Sequence, residues 1–494
     1  MSNSPMKKLS TEIGGIVRPL LLLVFLFASG IGALLYGKDV IGFLEKQPPL
    51  IEPVYVPDGI GREGAVLTLQ IQDSGAGIDA FVVRASQYGI ESELKRESLE
   101  GAATREIQIP LDGIDGKFRE GELRISVRAF DRSLWSNRGE LELNLMVDYQ
   151  SPELQVVTTQ HNARVGGAQL LVYRAKDENL VESGVKVGRY FFKGYPARHL
   201  DPVFASSDLF AVIYAVPFHG DAGQRYSLVA QAKDQAGNIT NVEFYSKESA
   251  ARVSSQQVPL SALCLRGQVS DIFFSSETIL REAVGDAEIE RIAALSDDQL
   301  QKSSSQFRLV SEQLRMFDSA HLAELTRESA PISFGMKAFQ RQSGTVRHAH
   351  QQKLSFVTGS SLVGELWHSG YFYRPRGDKP EIVAASAGII SFIEELGTYG
   401  TVIGIDHGLG LFSLYGSVEE VAVKPGDAVE GGDMLGVAGR GALGCERGAL
   451  FELRVQGVPV EPAEWLSEKW FHGHISRKVA SAKRLLGLAA PRSF

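Results

Sequence analysis

The chain has 494 residues, of which 44% are hydrophobic, 22% charged and 9% aromatic. These proportions are typical of a globular protein and exclude a chain that is disordered throughout. The net charge of -8 at pH 7 argues against a general nucleic-acid-binding protein, because such a protein needs a positive surface to contact phosphates. A prior of roughly 150 residues per domain predicts about three domains.

The sequence contains two cysteines, Cys264 and Cys445. They are too few for a scaffold of disulfides or for a zinc site made of cysteines. We favour two isolated thiols, and a single long-range bridge between them is the alternative.

The first strong feature along the chain is an uncharged apolar segment, residues 19–36. Its length is close to what a helix needs to cross a bilayer. Residues 1–18 carry Lys7, Lys8 and Arg18, so the positive-inside rule predicts a short cytoplasmic N-terminus and an exported remainder. A cleaved signal peptide is the alternative. We favour an uncleaved anchor because the apolar run is longer than the usual signal-peptide core of about 7 to 15 residues.

Two regions with strand patterns follow the anchor. In residues 62–149, apolar and polar residues alternate with a period of two, as around Leu67, and the turns contain Asp and Gly. The same pattern begins again in residues 150–247, which indicates a duplication. Each region predicts an immunoglobulin-like β-sandwich. The segment Asp234–Asn238 resembles the end of many bacterial immunoglobulin-like modules, although an ordinary Asp-stabilised turn explains it equally well.

Two further segments flank the C-terminal region. In residues 271–328, apolar residues recur every three or four positions, which predicts a helical connector. We expect Asp297, Asp298 and the serines of Ser303–Ser305 to interrupt its helices, and we favour packing on neighbouring domains over binding of a partner. Residues 467–494 form a basic amphipathic tail. For this tail, packing on the protein is favoured over attachment to a membrane surface.

Residues 332–466 carry the most informative pattern, in which short apolar segments are separated by turns that contain glycine. This pattern predicts a compact β-domain with little helix. The diagnostic segments, in chain order, are Val383–Gly388, Ile405–Gly410, Leu414–Gly416, Val423–Asp427, Leu435–Gly439 and Gly457–Trp465. Their order and spacing resemble the lysostaphin-type (LytM-like) zinc metalloendopeptidases, which have the duplicated hybrid motif fold and cut peptide cross-links in bacterial cell walls.

The resemblance implies a zinc site with three protein ligands, of which this sequence retains one. Active members bind zinc through the His and Asp of His-x-Gly-x-Asp and through the second histidine of His-x-His. The corresponding residues here are His368, Phe372 and Leu450. Because a catalytic zinc site needs about three protein ligands, His368 alone is not expected to hold the ion, and no metal cofactor is expected.

The two histidines that assist catalysis in active members are also replaced. The resemblance places them in Tyr-x-His and at the first position of His-x-His, where this chain has Ser417 and Gly448. No catalytic residue is therefore expected, and the resemblance implies a fold that is kept for binding after hydrolysis was lost. The residues expected to form the binding groove are Tyr371, Phe372, Tyr415 and Leu450.

Other histidines offer a route to a rearranged metal site. The spacing of His348 and His350 would place both on one face of a strand, but we favour solvated loop histidines for this pair. His407 stands where the family has a structural histidine, so we expect it to be hydrogen-bonded within a strand. His472 and His474 lie in the basic tail and are weaker candidates for a ligand.

Taken together, the patterns predict a mainly β, single-pass inner-membrane protein of a bacterium, with its C-terminal bulk in the periplasm. The favoured function is a non-catalytic regulator or scaffold in peptidoglycan metabolism. Its expected partner is a cell-wall hydrolase or peptidoglycan itself, and no nucleic acid. Two alternatives stay open: an active zinc endopeptidase with rearranged ligands, and a structural envelope protein that binds glycan strands.

Overall fold

A computed structural model describes the greater part of the chain. The described residues are 43–296, 300–333, 335, 337–374, 376, 380–441, 443 and 445–488. The predicted anchor, residues 19–36, and the segment before it, residues 1–18, lie outside them. Among the residues that are described, no helix is both long enough and apolar enough to span a membrane.

The chain divides into two compact units. One unit comprises the residues up to Ser151 together with Asp234–Asn238, and the other comprises Pro152–Lys233 together with the residues from Ile239 onward. The second strand region therefore belongs to the same unit as the C-terminal domain. The boundaries of the predicted domains, including 150–247 and 332–466, stay predictions.

The first unit consists of two antiparallel sheets that share one apolar core. Its strands are β1 (Leu50–Tyr55), β2 (Ala65–Gln72), β3 (Ile78–Gln87), β4 (Ile90–Ala102), β5 (Thr104–Leu111), β6 (Gly121–Asp131) and β7 (Arg138–Val147). One sheet has the order β1-β2-β5 and the other β4-β3-β6-β7. Alternate residues such as Leu67 and Leu69 of β2 and Val83 of β3 are fully buried in the shared core. The period of two thus produces two packed sheets, and the immunoglobulin-like assignment stays a prediction.

The second strand region also forms two sheets, with the orders β13-β14-β10-β8 and β12-β11-β15-β16. Its strands are β8 (Glu153–Val156), β9 (Ala163–Arg164), β10 (Ala168–Lys176), β11 (Leu180–Val187), β12 (Tyr190–Lys193), β13 (Tyr195–Pro196), β14 (Leu209–Ala215), β15 (Leu228–Asp234), β16 (Ile239–Glu243), β17 (Glu248–Ser249) and β18 (Ser254–Pro259). A short 3-10 helix covers Ala197–His199. The core of this region is continuous with that of the C-terminal domain, since Leu170, Tyr214, Phe451 and Trp465 belong to one apolar cluster.

The connector is helical, as predicted, and its helices begin before residue 271. They are α1 (Ala262–Cys264), α2 (Ser270–Ser275), α3 (Glu277–Val284), α4 (Asp286–Ala293), α5 (Gln301–Leu309) and α6 (Arg315–Leu325), with π-helical turns at Leu265–Val269 and Val310–Leu314. Ser303–Ser305 do not interrupt a helix as expected. They lie within α5, because Ser303, Gln306 and Phe307 form a buried face that favours continuation of the helix. Asp297 and Asp298 lie outside the described residues.

The C-terminal domain is built on a large sheet with the order β19-β22-β30-β26-β25-β24-β28, in which β30 also pairs with β31. A smaller sheet has the order β23-β29-β27, and a third joins β18, β20 and β21. The strands are β19 (Thr345–His348), β20 (Gln352–Thr358), β21 (Ser361–His368), β22 (Tyr371–Arg374), β23 (Glu381–Val383), β24 (Gly388–Leu396), β25 (Gly400–Asp406), β26 (Leu411–Gly416), β27 (Val418–Glu419), β28 (Ala428–Val429), β29 (Met434–Ala438), β30 (Ala449–Val455) and β31 (Val458–Val460).

The described part of the tail is helical and packs on the protein, as favoured from the sequence. Its helices are α7 (Pro462–Trp465), α8 (Glu468–Phe471) and α9 (Arg477–Leu485), with a π-helical turn at His472–Ser476. The side chains of Lys478, Val479 and Ala482 are buried on one face of α9. The tail therefore contributes to the core of its own unit.

Cys264 and Cys445 form a disulfide, with their Cα atoms 5.8 Å apart. The expectation of two isolated thiols is therefore wrong. The two cysteines are 181 residues apart in sequence, and only the folded chain brings α1 next to the loop that precedes β30. A pairing over such a distance leaves no local sequence signal.

Candidate functional site

The positions that correspond to zinc ligands in active LytM-like enzymes lie together on the C-terminal domain. In the sheet, Phe372 of β22 pairs with Leu450 of β30 on one side and with His348 of β19 on the other. Paired residues of adjacent strands share one face of a sheet, so these three side chains form a row. His368 ends β21, and its ring centroid lies 5.8 Å from that of His348.

The row borders a small cavity with a volume of about 60 Å³. This volume has room for molecules of the size of water and is too small for a peptide. The residues that line the cavity include His348, His368, Phe372, Ser417 and Leu450 from the C-terminal domain. The structure thus brings together the retained ligand position, both replaced ligand positions and one of the two replaced catalytic positions.

Gly448, the second replaced catalytic position, packs beside the cavity. A Cβ atom built on Gly448 would lie 2.4 Å from Cζ of Phe372 and 2.7 Å from the carbonyl oxygen of Tyr373. The phenyl ring therefore occupies the space that a side chain at residue 448 would need. The phenyl ring of Phe372 can take this position because residue 448 is a glycine.

The backbone holds one ring nitrogen of His368. It is buried, and its Nδ1 donates a hydrogen bond to the carbonyl oxygen of Gly370 at 3.1 Å. Metal-ligating histidines commonly donate one ring N–H to a carbonyl in this way, which leaves the other nitrogen for the metal. Burial, followed by the charge of Arg315, lowers the pKa of His368 well below its usual value of 6.5. The imidazole is therefore neutral at pH 7.

The side chains around His368 do not fit the zinc ion that active relatives bind. Phe372 and Leu450 offer no ligand atom, whereas zinc takes nitrogen, sulfur or oxygen from about three protein ligands. Within the described ranges, one set of three His, Cys, Asp or Glu residues brings its ligand atoms within 4.8 Å of one another, and it lies in the first unit. That set is Glu45, Asp73 and Asp131.

Helix α6 contributes Arg315 to the lining of the cavity. The guanidinium carbon of Arg315 lies 3.6 Å from the ring centroid of Tyr399, and its Nη1 donates to the carbonyl oxygen of Thr398 at 3.4 Å. One turn later, Oδ2 of the buried Asp318 accepts hydrogen bonds from the backbone N–H of Thr398 at 2.8 Å and from its hydroxyl at 2.6 Å. Leu322 then packs in an apolar cluster that contains Tyr399 and Leu450.

The loop that carries one cysteine of the disulfide also lines this cavity. Gly441, Leu443 and Glu446, from the loop that contains Cys445, all line the cavity. The side-chain amide of Gln268 donates to the carbonyl oxygen of Gly441 at 3.0 Å, so the π-helical turn after α1 contacts this loop as well. The contribution of the helical segment to this cavity has no signal in the sequence, because the helical period identifies a buried face without identifying what covers it.

Two of the residues expected in the groove, Tyr371 and Tyr415, do not line this cavity. Tyr371 neighbours Phe372 in β22, so the alternation of a strand turns it to the other face, where its hydroxyl donates to Oε1 of Glu461 at 2.8 Å. Tyr415 is fully buried, and its hydroxyl accepts a hydrogen bond from the backbone N–H of Ala385 at 2.7 Å. Of the four expected groove residues, the structure places Phe372 and Leu450 in the cavity wall.

The pair His348 and His350 does not form a shared site. His348 lines the cavity, and its Nδ1 donates to Oε1 of Gln256 at 3.1 Å. His350 is buried, and its Nδ1 accepts from the backbone N–H of Gly370 at 3.1 Å. The favoured expectation of solvated loop histidines is wrong, because His348 lies half-buried in β19 and His350 is buried in the turn that follows it.

His407 is hydrogen-bonded within the strands, as expected. Its Nδ1 donates to the carbonyl oxygen of Ala387 at 2.7 Å, and its Nε2 accepts from the hydroxyl of Ser413 at 2.7 Å. Burial lowers its pKa to about 4. In the tail, Nδ1 of His474 donates to the carbonyl oxygen of Trp470 at 3.0 Å, and His472 lies in the same π-helical turn.

The comparisons with known proteins each cover part of the chain. A family model described as Peptidase family M23 matches residues 367–462. An uncharacterized protein of Neisseria meningitidis serogroup B is 29% identical over 155 residues, which are 30% of this chain and 25% of that protein. The murein hydrolase activator EnvC of Escherichia coli is 32% identical over 108 residues, which are 22% of this chain and 26% of that protein. The chain thus spans about a quarter of the length of these curated relatives.

Among solved structures, the catalytic domain of the antimicrobial peptidase lysostaphin from Staphylococcus simulans is similar to this chain, with 18% identity and a TM-score of 0.20. The match covers 26% of this chain and 92% of that domain. The ordered glycine-rich segments, the match to the family model and the paired positions of β22 and β30 all concern the same part of the molecule. Residues 367–462 form a LytM-type domain of peptidase family M23.

Proposed function

We propose that this protein is a non-catalytic regulator of bacterial cell-wall hydrolases. The observation that carries the proposal is the cavity at the former metal position, whose wall combines one oriented imidazole, His368, with the apolar side chains of Phe372 and Leu450. A domain that keeps the fold and loses the ligands retains a surface for recognition and no means of hydrolysis.

The chemistry of peptide hydrolysis supports this proposal. A metal ion lowers the pKa of the attacking water and polarises the scissile carbonyl, and histidines assist in active members of the family. Ser417 and Gly448 stand at the assisting positions, and the backbone of Ser417 is in the left-handed region with φ of 60°. Since His368 is neutral and one ligand is insufficient for zinc, the site lacks the groups that would activate water.

The similarity to EnvC, whose name describes a murein hydrolase activator, supports a hydrolase as the partner. The shared region is a quarter of that protein, so the partner of the present chain is our proposal. Binding to peptidoglycan, directly or through the hydrolase, belongs to the same proposal.

We place the protein in the inner membrane, with residues 19–36 as the anchor and the C-terminal bulk in the periplasm. The Lys and Arg residues before the apolar segment support this orientation. The disulfide between Cys264 and Cys445 supports an oxidising compartment, since such bonds are rare in proteins that stay in the cytosol. A reporter fused after residue 494 is expected to be exported and to stay with the membrane after a salt wash.

The function is tested with the full chain in detergent and dye-labelled peptidoglycan. We expect no release of dye by the protein alone and increased release when it is added to one of a panel of purified cell-wall hydrolases. Dye release by the protein alone, abolished by chelation and by His368→Ala, would establish the active endopeptidase instead. Sedimentation with glycan strands, without an effect on any hydrolase of the panel, would establish the structural role.

A further inference from the structure

We propose that the guanidinium of Arg315 takes the place of the metal ion in this degenerate site. It is a fixed cation that helix α6 supplies to the cavity. The inference rests on the proposed non-catalytic role. It deepens that role by naming the positive charge that stands in for the zinc ion in a site without its zinc ligands.

The first support is the position of Arg315. Its side chain lines the same cavity as His368, Phe372 and Leu450. The guanidinium lies over the face of Tyr399, 3.6 Å from the ring centroid, and a cation in this position is attracted by the negative face of the ring. Nη1 donates to the carbonyl oxygen of Thr398, and Nη2 donates to the hydroxyl of Ser369, both at 3.4 Å.

The second support is that the fold fixes this position. Arg315 begins α6, directly after the π-helical turn Val310–Leu314, and Asp318 attaches the same helix to Thr398 through two hydrogen bonds. The helix approaches the domain closely at Gly397, where an added Cβ would lie 2.6 Å from a methyl group of Leu314. The absence of a side chain at Gly397 therefore allows the close contact with Leu314, next to which Arg315 begins α6.

The third support is electrostatic. Arg315 and His368 both line the same cavity, whose volume is about 60 Å³, so the guanidinium charge acts on the space beside the imidazole. A divalent ion beside His368 would be repelled by the same charge, and the repulsion is strong where water is largely excluded. Restoring the lost ligands without removing Arg315 is therefore expected to give a poor metal site.

The inference is tested by metal binding in the full chain. Phe372→Asp and Leu450→His together restore the family's ligands around His368, and this double variant is compared in three backgrounds: Arg315, Arg315→Met and Arg315→Lys. Competition with a chromogenic chelator gives the Zn²⁺ affinity, and the visible absorption of bound Co²⁺ reports tetrahedral coordination. Arg308→Met removes an exposed charge from the neighbouring helix α5 and serves as the matched control.

We expect Zn²⁺ to bind at least tenfold more tightly in the Arg315→Met background than with Arg315, Arg315→Lys or the Arg308→Met control. Equal affinity in the Arg315 and Arg315→Met backgrounds would overturn the inference. If the doubly substituted chains do not fold, the same metal-binding measurements are made with Leu450→His alone, in the Arg315 and Arg315→Met backgrounds. Equal affinity for Zn²⁺ and Co²⁺ in these two backgrounds also overturns the inference. Neither result bears on hydrolase stimulation, which tests the proposed function separately.

Discussion

Phe372 and Leu450 face each other across the β22–β30 pair, so two apolar side chains meet at the positions where the resemblance to active LytM-type enzymes implies an aspartate and a histidine. The phenyl ring of Phe372 also fills the space next to Gly448. The changes at these positions are thus coupled through packing, and reversing one of them affects the others.

Gly448→Ala is expected to destabilise the C-terminal domain. The added Cβ would approach Cζ of Phe372 to 2.4 Å and the backbone oxygen of Tyr373 to 2.7 Å, and overpacking of this kind costs about 1 to 3 kcal/mol. Urea denaturation measures the change in the free energy of unfolding. Gly267→Ala is the matched control, because an added Cβ there has nothing within 4 Å. Equal stability of the two variants would contradict the packing described for Phe372.

Loss of the disulfide is expected to destabilise the unit that contains it. For a closed loop of 181 residues, the chain-entropy model gives a contribution of about 5 kcal/mol. Denaturation of Cys264→Ser/Cys445→Ser, compared with the oxidised wild type, measures the loss, and the single variant Cys264→Ser separates it from the effect of one serine. A thiol assay that finds two free cysteines in the unreduced wild type would show that the bond does not form.

Asp318→Ala is expected to loosen helix α6. The substitution removes the acceptor of two hydrogen bonds from Thr398 and leaves a buried N–H without its partner, at a cost of about 1 to 3 kcal/mol. Hydrogen exchange should therefore speed up in residues 315–325 and around Thr398. Glu324→Ala, an exposed carboxylate on the same helix, is the control and should leave exchange unchanged. Protection of α6 that survives Asp318→Ala would mean that apolar packing alone holds the helix.

The buried Lys478 is expected to make stability depend on pH. Its Nζ donates to Oε1 of Gln169 at 2.6 Å and to the carbonyl oxygen of Leu170 at 3.0 Å, and burial lowers its pKa to about 7. The unfolded chain keeps this lysine protonated up to its ordinary pKa of 10.5. Between pH 7 and 10.5 the unfolded state therefore binds more protons, so the free energy of unfolding rises with pH, by at most about 1.4 kcal/mol per pH unit.

The pH dependence is measured by urea denaturation at pH 7.5 and pH 9.5 in the wild type and in Lys478→Met. The difference between the two proteins isolates this residue from the other groups that titrate in the range. A smaller rise in Lys478→Met supports the assignment, and an identical rise in both proteins would show that Lys478 titrates as it does in water.

The sequence predicts features that depend on local periodicity. The alternation around Leu67 predicts a half-buried strand, and β2 has that burial pattern. The ordered segments from Val383 to Trp465 identify the C-terminal fold, and with it the neighbourhood of His368, Phe372 and Leu450. The same strand alternation turns Tyr371 away from the cavity that Phe372 lines.

Other features depend on contacts between distant segments and have no local signal. The helical period of residues 315–325 identifies an apolar face and does not show that Arg315 lies over Tyr399. The pairing of Cys264 with Cys445 and the burial of Lys478 against β10 likewise arise only in the folded chain. Charged residues in helices are exposed in most proteins. The sequence alone therefore predicts that Arg315 and Lys478 face solvent, and it gives no sign of their contacts with Tyr399 and β10.

The disulfide also has a consequence for biosynthesis. Cys264 emerges 181 residues before the cysteine with which it pairs, and nearly the whole C-terminal domain is made in between. A chain that ends before residue 445 leaves Cys264 as a free thiol, whereas in a folded chain that contains residue 445 the two cysteines are joined. In an oxidising compartment, the free thiol is open to mixed disulfide formation, so the bond distinguishes chains that contain residue 445 from chains truncated before it.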